Sequence, residues 1–194
     1  MVNNTKFEVQ DIDCVVKNHL YSILYKIFDF DEFSRLFDLW DDPIYLEGFF
    51  EMNKEDLENE FWGSMSIEEA IIKTRNDALD LEDHLISIAE EGKLETGENL
   101  SSFFHPLSKN YFEEKFESNK AYGQDSPSWL RIYALKIELD FFVVTGGAIK
   151  LTATMNDREH LKTELDKLNI AREFIKDYPY SFEGEDIAFF ELIY

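Results

Sequence analysis

Few side chains in this chain are suited to chemistry. The four histidines stand at positions 19, 84, 105 and 160; none belongs to an HExxH pair and none neighbours a second histidine. His84 would need a glutamate three residues back to match a carboxylate-bridged metal helix, and Leu81 occupies that place. Cys14 is the sole thiol, which excludes an internal disulfide and any thiolate cluster. The pair Gly146-Gly147 lies in neither a GxGxxG nor a GxxxxGK loop, and no GxSxG elbow occurs. The acidic pairs Asp41-Asp42, Glu68-Glu69, Glu82-Asp83 and Glu90-Glu91 read as solvated faces and not as paired catalytic carboxylates. The residues therefore predict no metal and no cofactor.

Charge says more. The 194 residues carry a formal net charge of −22, unevenly spread. Residues 1–128 hold 29 Asp/Glu against 11 Lys/Arg, residues 129–177 hold eight of each sign, and residues 178–194 add four acids. Such a field repels nucleic acid over most of the surface, so any RNA contact has to be local to the neutral region. With 44% hydrophobic residues and 18 Phe, the chain has material for a substantial core and fits a single domain. The first residues lack the basic flank and apolar run of a signal peptide, and no apolar run reaches the length of a membrane span. A cytoplasmic protein is expected.

The elements that must position any site follow from periodicity. Lys6–Val9 alternates like a short strand. Val16, Leu20, Ile23, Leu24 and Ile27 have helical spacing, yet the Tyr- and Ile-rich run between them suits a strand equally; both readings stay open, the spacing leaning to helix. Phe33, Leu36, Phe37 and Trp40 form a helical stripe, and Asp42-Pro43 ends that helix and starts the next. Ser66 and Glu69 form a capping-box pattern ahead of a long helix to about Glu91, with a seam of Ile67, Ile71, Thr74, Ala78, Leu81, Leu85 and Ile88 facing the earlier helix. Leu100–Leu107 reads as a strand end or turn, and residues 109–128 as a polar loop.

Trp129–Leu151 is a strand hairpin, with Leu130, Ile132 and Ala134 on one face and Arg131, Tyr133 and Leu135 on the other. At Gly146-Gly147 a bulge or a close approach is expected. Asp157 can cap a last helix with a core face of Leu161, Leu165, Leu168, Ala171 and Ile175. The expected fold is α+β. A helical part over residues 1–99, with an antiparallel helix pair, packs on a small, mainly antiparallel sheet that carries a C-terminal helix over residues 100–177. The apolar tail, residues 178–194, docks on the core or on a partner.

The segments FFHPLSK at 103–109 and WLRIYALKIELDFFVVTGGAIKLTATM at 129–155 resemble the C-terminal half of RelE/HigB-type toxins of toxin–antitoxin modules. They also resemble uncharacterised bacterial proteins sharing the TGGAIKLT-type segment. The toxin resemblance covers about the last 75 residues and implies metal-free RNA cleavage, in which the ribose 2′-OH attacks, cations stabilise the phosphorane and an acid protonates the leaving oxygen. It places Arg131, Lys150 and His105 in catalytic roles and Tyr133, Arg158 and His160 beside the substrate, with an antitoxin and RNA or the ribosome as partners. The chain departs from the family in being larger and strongly acidic, and in keeping only Lys150-Leu151-Thr152 where those toxins have a more basic run. The alternative is a non-catalytic acidic interaction protein on the same fold, with residues 1–128 docking a basic partner.

Overall fold

A computed structural model describes residues 7–58, 62–63, 65–91, 99–107, 128–138, 140–152, 158–177 and 188–193. The chain opens with an antiparallel hairpin of Val9–Val16 (β1) and Leu20–Tyr25 (β2), and Asn18 takes the left-handed conformation (φ 71°) in its turn. The ambiguous stretch after Val16 is therefore a strand, against the lean to helix. Its residues alternate between two cores: Leu20 faces one, Ile23 and Tyr25 the other. A strand covered on both faces is apolar throughout, and such a run contains helical spacings by accident.

Four helices follow. Asp31 accepts from the Phe33 and Ser34 amides to start Glu32–Asp41 (α1), and Asp42 accepts from the Ile44 amide to start Pro43–Met52 (α2). A single turn, Lys54–Leu57 (α3), precedes Ile67–Glu91 (α4). The expected capping box is formed: the Glu69 amide donates to the Ser66 hydroxyl and the Ser66 amide to the Glu69 carboxylate. Leu81, Leu85 and Ala78 of the seam are buried with Phe33, Leu36 and Trp40 of α1. Leu100–Phe103 (α5) is a helical turn, in which Asn99 and Ser102 cap each other reciprocally. The two-residue strand His105–Pro106 (β3) comes next.

Leu130–Glu138 (β4) and Phe141–Ile149 (β5) form the expected hairpin, and Asp140 (φ 59°) makes the turn. Glu159–Lys176 (α6) and Ala188–Ile193 (β6) complete the chain. Arg158 occupies the N-cap of α6 without a side-chain bond. The anticipated cap Asp157, the stop at Gly92 and most of the 109–128 loop lie outside the described residues.

Among the described residues the sheet has six strands in the order β1-β2-β5-β4-β6-β3. Only β2 and β5 run parallel; the other neighbours are antiparallel. The α+β class stands, with a mainly antiparallel sheet and a helix late in the chain. Two details go beyond expectation: a full hairpin, β1 and β2, precedes the helices, and residues 188–193 of the apolar tail form a strand that pairs with β4 from Arg131 to Lys136. Alternation along β4 separates two cores. Leu130, Ile132 and Ala134 pack with α1, α2 and α4, while Tyr133, Leu135 and Ile137 pack with Leu161, Leu168 and Ala171 of α6. Helices thus cover both sheet faces.

At Gly146 and Gly147 neighbours press against the strand. A Cβ on Gly147 would stand 2.6 Å from the Arg131 carbonyl oxygen and 2.8 Å from Leu36 Cδ1, and one on Gly146 would collide with the Glu164 carboxylate. The pairing register slips beside them, from Tyr133↔Gly146 to Ala134↔Val144.

Candidate functional site

The expected cation face is not open. Arg131 is 4% exposed, and its Nη1 donates to the carbonyls of Ser128 and Leu130. Lys150 is 6% exposed, and Tyr133 is buried. The reason is topological: β4 is flanked by β5 and β6, with helices over both faces, so side chains of the hairpin are enclosed. His105 is exposed on β3, opposite Glu191 of β6. Arg158 and His160 stand apart from these four at the start of α6, where they line a crevice. The six residues expected to share one surface are therefore divided among the interior, a sheet edge and that crevice.

The crevice opens where β2 and β5 part. Their parallel ladder joins Leu20–Ser22 to Phe142–Val144 and stops at the bulge. Beyond it, α1 and α6 approach each other and four charged side chains meet. Lys167 Nζ lies 3.0 Å from Glu32 Oε2 and 3.0 Å from Glu164 Oε1. Arg35 grips Glu32 with two bonds, Nε to Oε1 at 2.9 Å and Nη2 to Oε2 at 2.7 Å. The Lys167 ammonium also lies 5.2 Å from the ring centre of Phe7 and 5.8 Å from those of Tyr25 and Phe28. The Tyr25 hydroxyl donates to the carbonyls of Thr145 and Lys167, tying β2, β5 and α6 together. Burial, then the negative charge of Glu32 and Glu164, raises the Tyr25 pKa well above its ordinary value, so the phenol stays protonated.

Glu164 is the strained member. Its Oε2 is buried with no hydrogen-bond partner among the described residues. Burial pushes its pKa up from 4.5 to about 7, Lys167 opposes this and Glu32 adds to it. The folded state thus binds this proton more tightly than the unfolded chain. The stability Glu164 contributes is complete below about pH 4.5 and is lost as pH rises through about 7. Urea unfolding at pH 5 and pH 8 should show the wild-type protein losing on the order of 2 kcal/mol more than Glu164→Gln over that interval. Identical losses in the two proteins would show that Glu164 does not titrate there.

His160 completes the crevice wall. Its Nε2 donates to the Ile149 carbonyl at 3.1 Å, and its ring meets Phe49 edge-on at 5.4 Å. Burial lowers its pKa, so the ring is neutral near pH 7 and Nδ1 is an acceptor. Arg158 is paired with Asp56.

A second concavity lies between α1 and α4, and shares no lining residue with the crevice. Asp38, Asp41 and Glu82 place carboxylates around it, and Arg75 pairs with Asp41. Ile72 and Leu79, one face of α4 seven residues apart, are 62% and 61% exposed there. Burial, then the charges of Asp83 and Asp38, raises the pKa of Glu82. A cation brought to this groove would relieve that repulsion.

Neither concavity was evident from sequence. Glu164 nevertheless holds a core position in the 161, 164, 168, 171, 175 spacing of α6, a signal that an acid faces inward. No protein-family model matches this chain, and no curated protein or solved structure matches it either. Among the described residues, no helix is long and apolar enough to cross a membrane.

Proposed function

We propose that this protein is a non-catalytic interaction protein whose acidic α1/α4 face docks a basic amphipathic segment of a partner protein. The observation that carries the reading is the groove in which Asp38, Asp41 and Glu82 surround the exposed apolar Ile72 and Leu79. Carboxylates around an apolar stripe complement a helix with lysines or arginines flanking leucines. The α4 helix alone carries eight acids and two bases, so the field extends beyond the groove and would speed capture of a cationic partner. A nuclease reading rested on Arg131 and Lys150 meeting an RNA phosphate, and both are enclosed. It therefore loses its motive, and the interaction reading is preferred.

Fluorescence anisotropy with a labelled Lys/Leu amphipathic helix, a Glu/Leu helix of the same pattern and a single-stranded RNA tests this. The Lys/Leu peptide alone should bind, weakening tenfold or more as salt rises from roughly 0.05 to 0.5 M. Asp38→Lys with Glu82→Lys should remove most of that affinity, and Ile72→Ser with Leu79→Ser should reduce it at any salt. Equal binding of the Glu/Leu peptide, or indifference to both double variants, would refute the proposal.

A further inference from the structure

Apart from the acidic groove, the crevice beside the buried charges has the makings of a ligand site. It encloses about 720 Å³, within the range of small-molecule pockets. It lies beyond the carboxyl end of the short β2/β5 parallel ladder. Its lining includes Gly147 of β5, and its walls include Tyr45 and Phe49 of α2. At the mouth, Ile44 and Met52 are 79% and 81% exposed, apolar side chains that would gain from covering an apolar body.

The polar end mixes Arg35, Arg158 and Lys167 with Glu159 and Glu164, and Arg158 and Lys167 are each paired with acids. Arg35 is 19% exposed, and its bonds to Glu32 use Nε and Nη2, which leaves Nη1 directed away from that carboxylate. Tyr45 adds a hydroxyl within the electrostatic reach of Arg35 and Glu164. We propose that this crevice binds a small amphiphilic carboxylate, its apolar body between Tyr45, Phe49 and Met52 and its anionic group directed to Arg35. A cationic ligand would face the Arg35 guanidinium and is disfavoured there.

Binding should draw in a proton. With Glu32 and Glu164 both ionised, the cluster formed with Arg35 and Lys167 has no net charge. Protonation of Glu164 gives it a charge of +1. Among the described residues, the groups that face Glu164 are Glu32 and Arg35 from α1, Lys167 from α6, Tyr25 from β2 and Tyr45 from α2. Tyr25 and Tyr45 both have raised pKa values, with burial the main cause, and stay neutral. Glu164 is thus the group that adjusts near neutral pH.

Calorimetric titration with phenylbutyrate, its amide phenylbutyramide and the amine phenylbutylamine tests the site. Phenylbutyrate should bind, with the amide at least tenfold weaker and the amine silent. Ile44→Glu and Met52→Glu, both at exposed positions, should each weaken phenylbutyrate severalfold without unfolding the protein. Its affinity should rise severalfold from pH 8 to pH 6, and Glu164→Gln should flatten that dependence. No heat with phenylbutyrate, equal affinity for acid and amide, indifference to both mouth variants, or pH-independent binding to the wild-type protein would each overturn the proposal. None of these outcomes involves the α1/α4 groove, so the result is separate from that of the peptide experiment.

Discussion

Lys167→Met is expected to destabilise the protein by roughly 3–5 kcal/mol, enough to leave much of it unfolded at 37 °C. The Lys167 side chain is 3% exposed, and its ammonium is the group that bridges Glu32 on α1 to Glu164 on α6. Methionine fills similar volume, and its thioether can take the ammonium's place beside the rings of Phe7, Tyr25 and Phe28. What is lost is the charge. Glu32 keeps Arg35, whereas Glu164 Oε1 loses its donor and Oε2 already has none among the described residues. Protonating Glu164 relieves the conflict, so the variant should regain stability on acidification more steeply than the wild-type protein. Adding Glu164→Gln should recover part of the loss at pH 8, a coupling that urea unfolding of the four proteins of the double-mutant cycle would measure.

Gly147→Ala carries the second large effect, about 3 kcal/mol of destabilisation at the upper end of what overpacking costs. Gly147 has no unusual backbone requirement; the obstacle is space. The new methyl would stand 2.6 Å from the Arg131 carbonyl oxygen, a backbone atom fixed in the β4/β5 ladder, and 2.8 Å from Leu36 Cδ1. Leu36 can turn aside at some cost, but the carbonyl cannot move without prising β4 from β5. Thermal unfolding should register a fall of several degrees. Gly48→Ala provides the contrast, since nothing lies within 4 Å of a Cβ there and α2 should gain slightly from the better helix former.

Much of the frame was legible in the sequence because it follows local rules. The Trp129–Leu151 hairpin was readable from alternation, and its two faces divide between the two cores as their parity requires. The long helix was readable from the Ser66/Glu69 box and its seam. One short element was not. Leu20–Tyr25 is apolar at helical and strand spacings alike, and its place between β1 and β5, a long-range fact, makes it a strand. Leu100–Leu107, read as a strand end or a turn, supplies both: the Leu100–Phe103 turn capped at Asn99, then the strand His105–Pro106.

The candidate sites were less legible still. Arg131 and Lys150 are cations in a neutral region, and sequence cannot tell that helices and a returning β6 enclose them. The converse error hid the crevice. Glu164 and Lys167 resemble the solvated pair Lys162–Glu159 a few residues earlier, and what distinguishes them is Glu32, more than a hundred residues away in the chain. Arg158 and His160, by contrast, do line the crevice, although not in company with Arg131, Lys150 or His105.

The reading of an acidic docking face is tested most directly by methyl NMR of the full chain titrated with the Lys/Leu amphipathic peptide. Saturable shifts of the Ile72 and Leu79 methyls, reversed by added salt, with buried Leu81 and Leu85 of the same helix little moved, are the predicted result. Methyl shifts that avoid Ile72 and Leu79, or none at peptide excess, would contradict it.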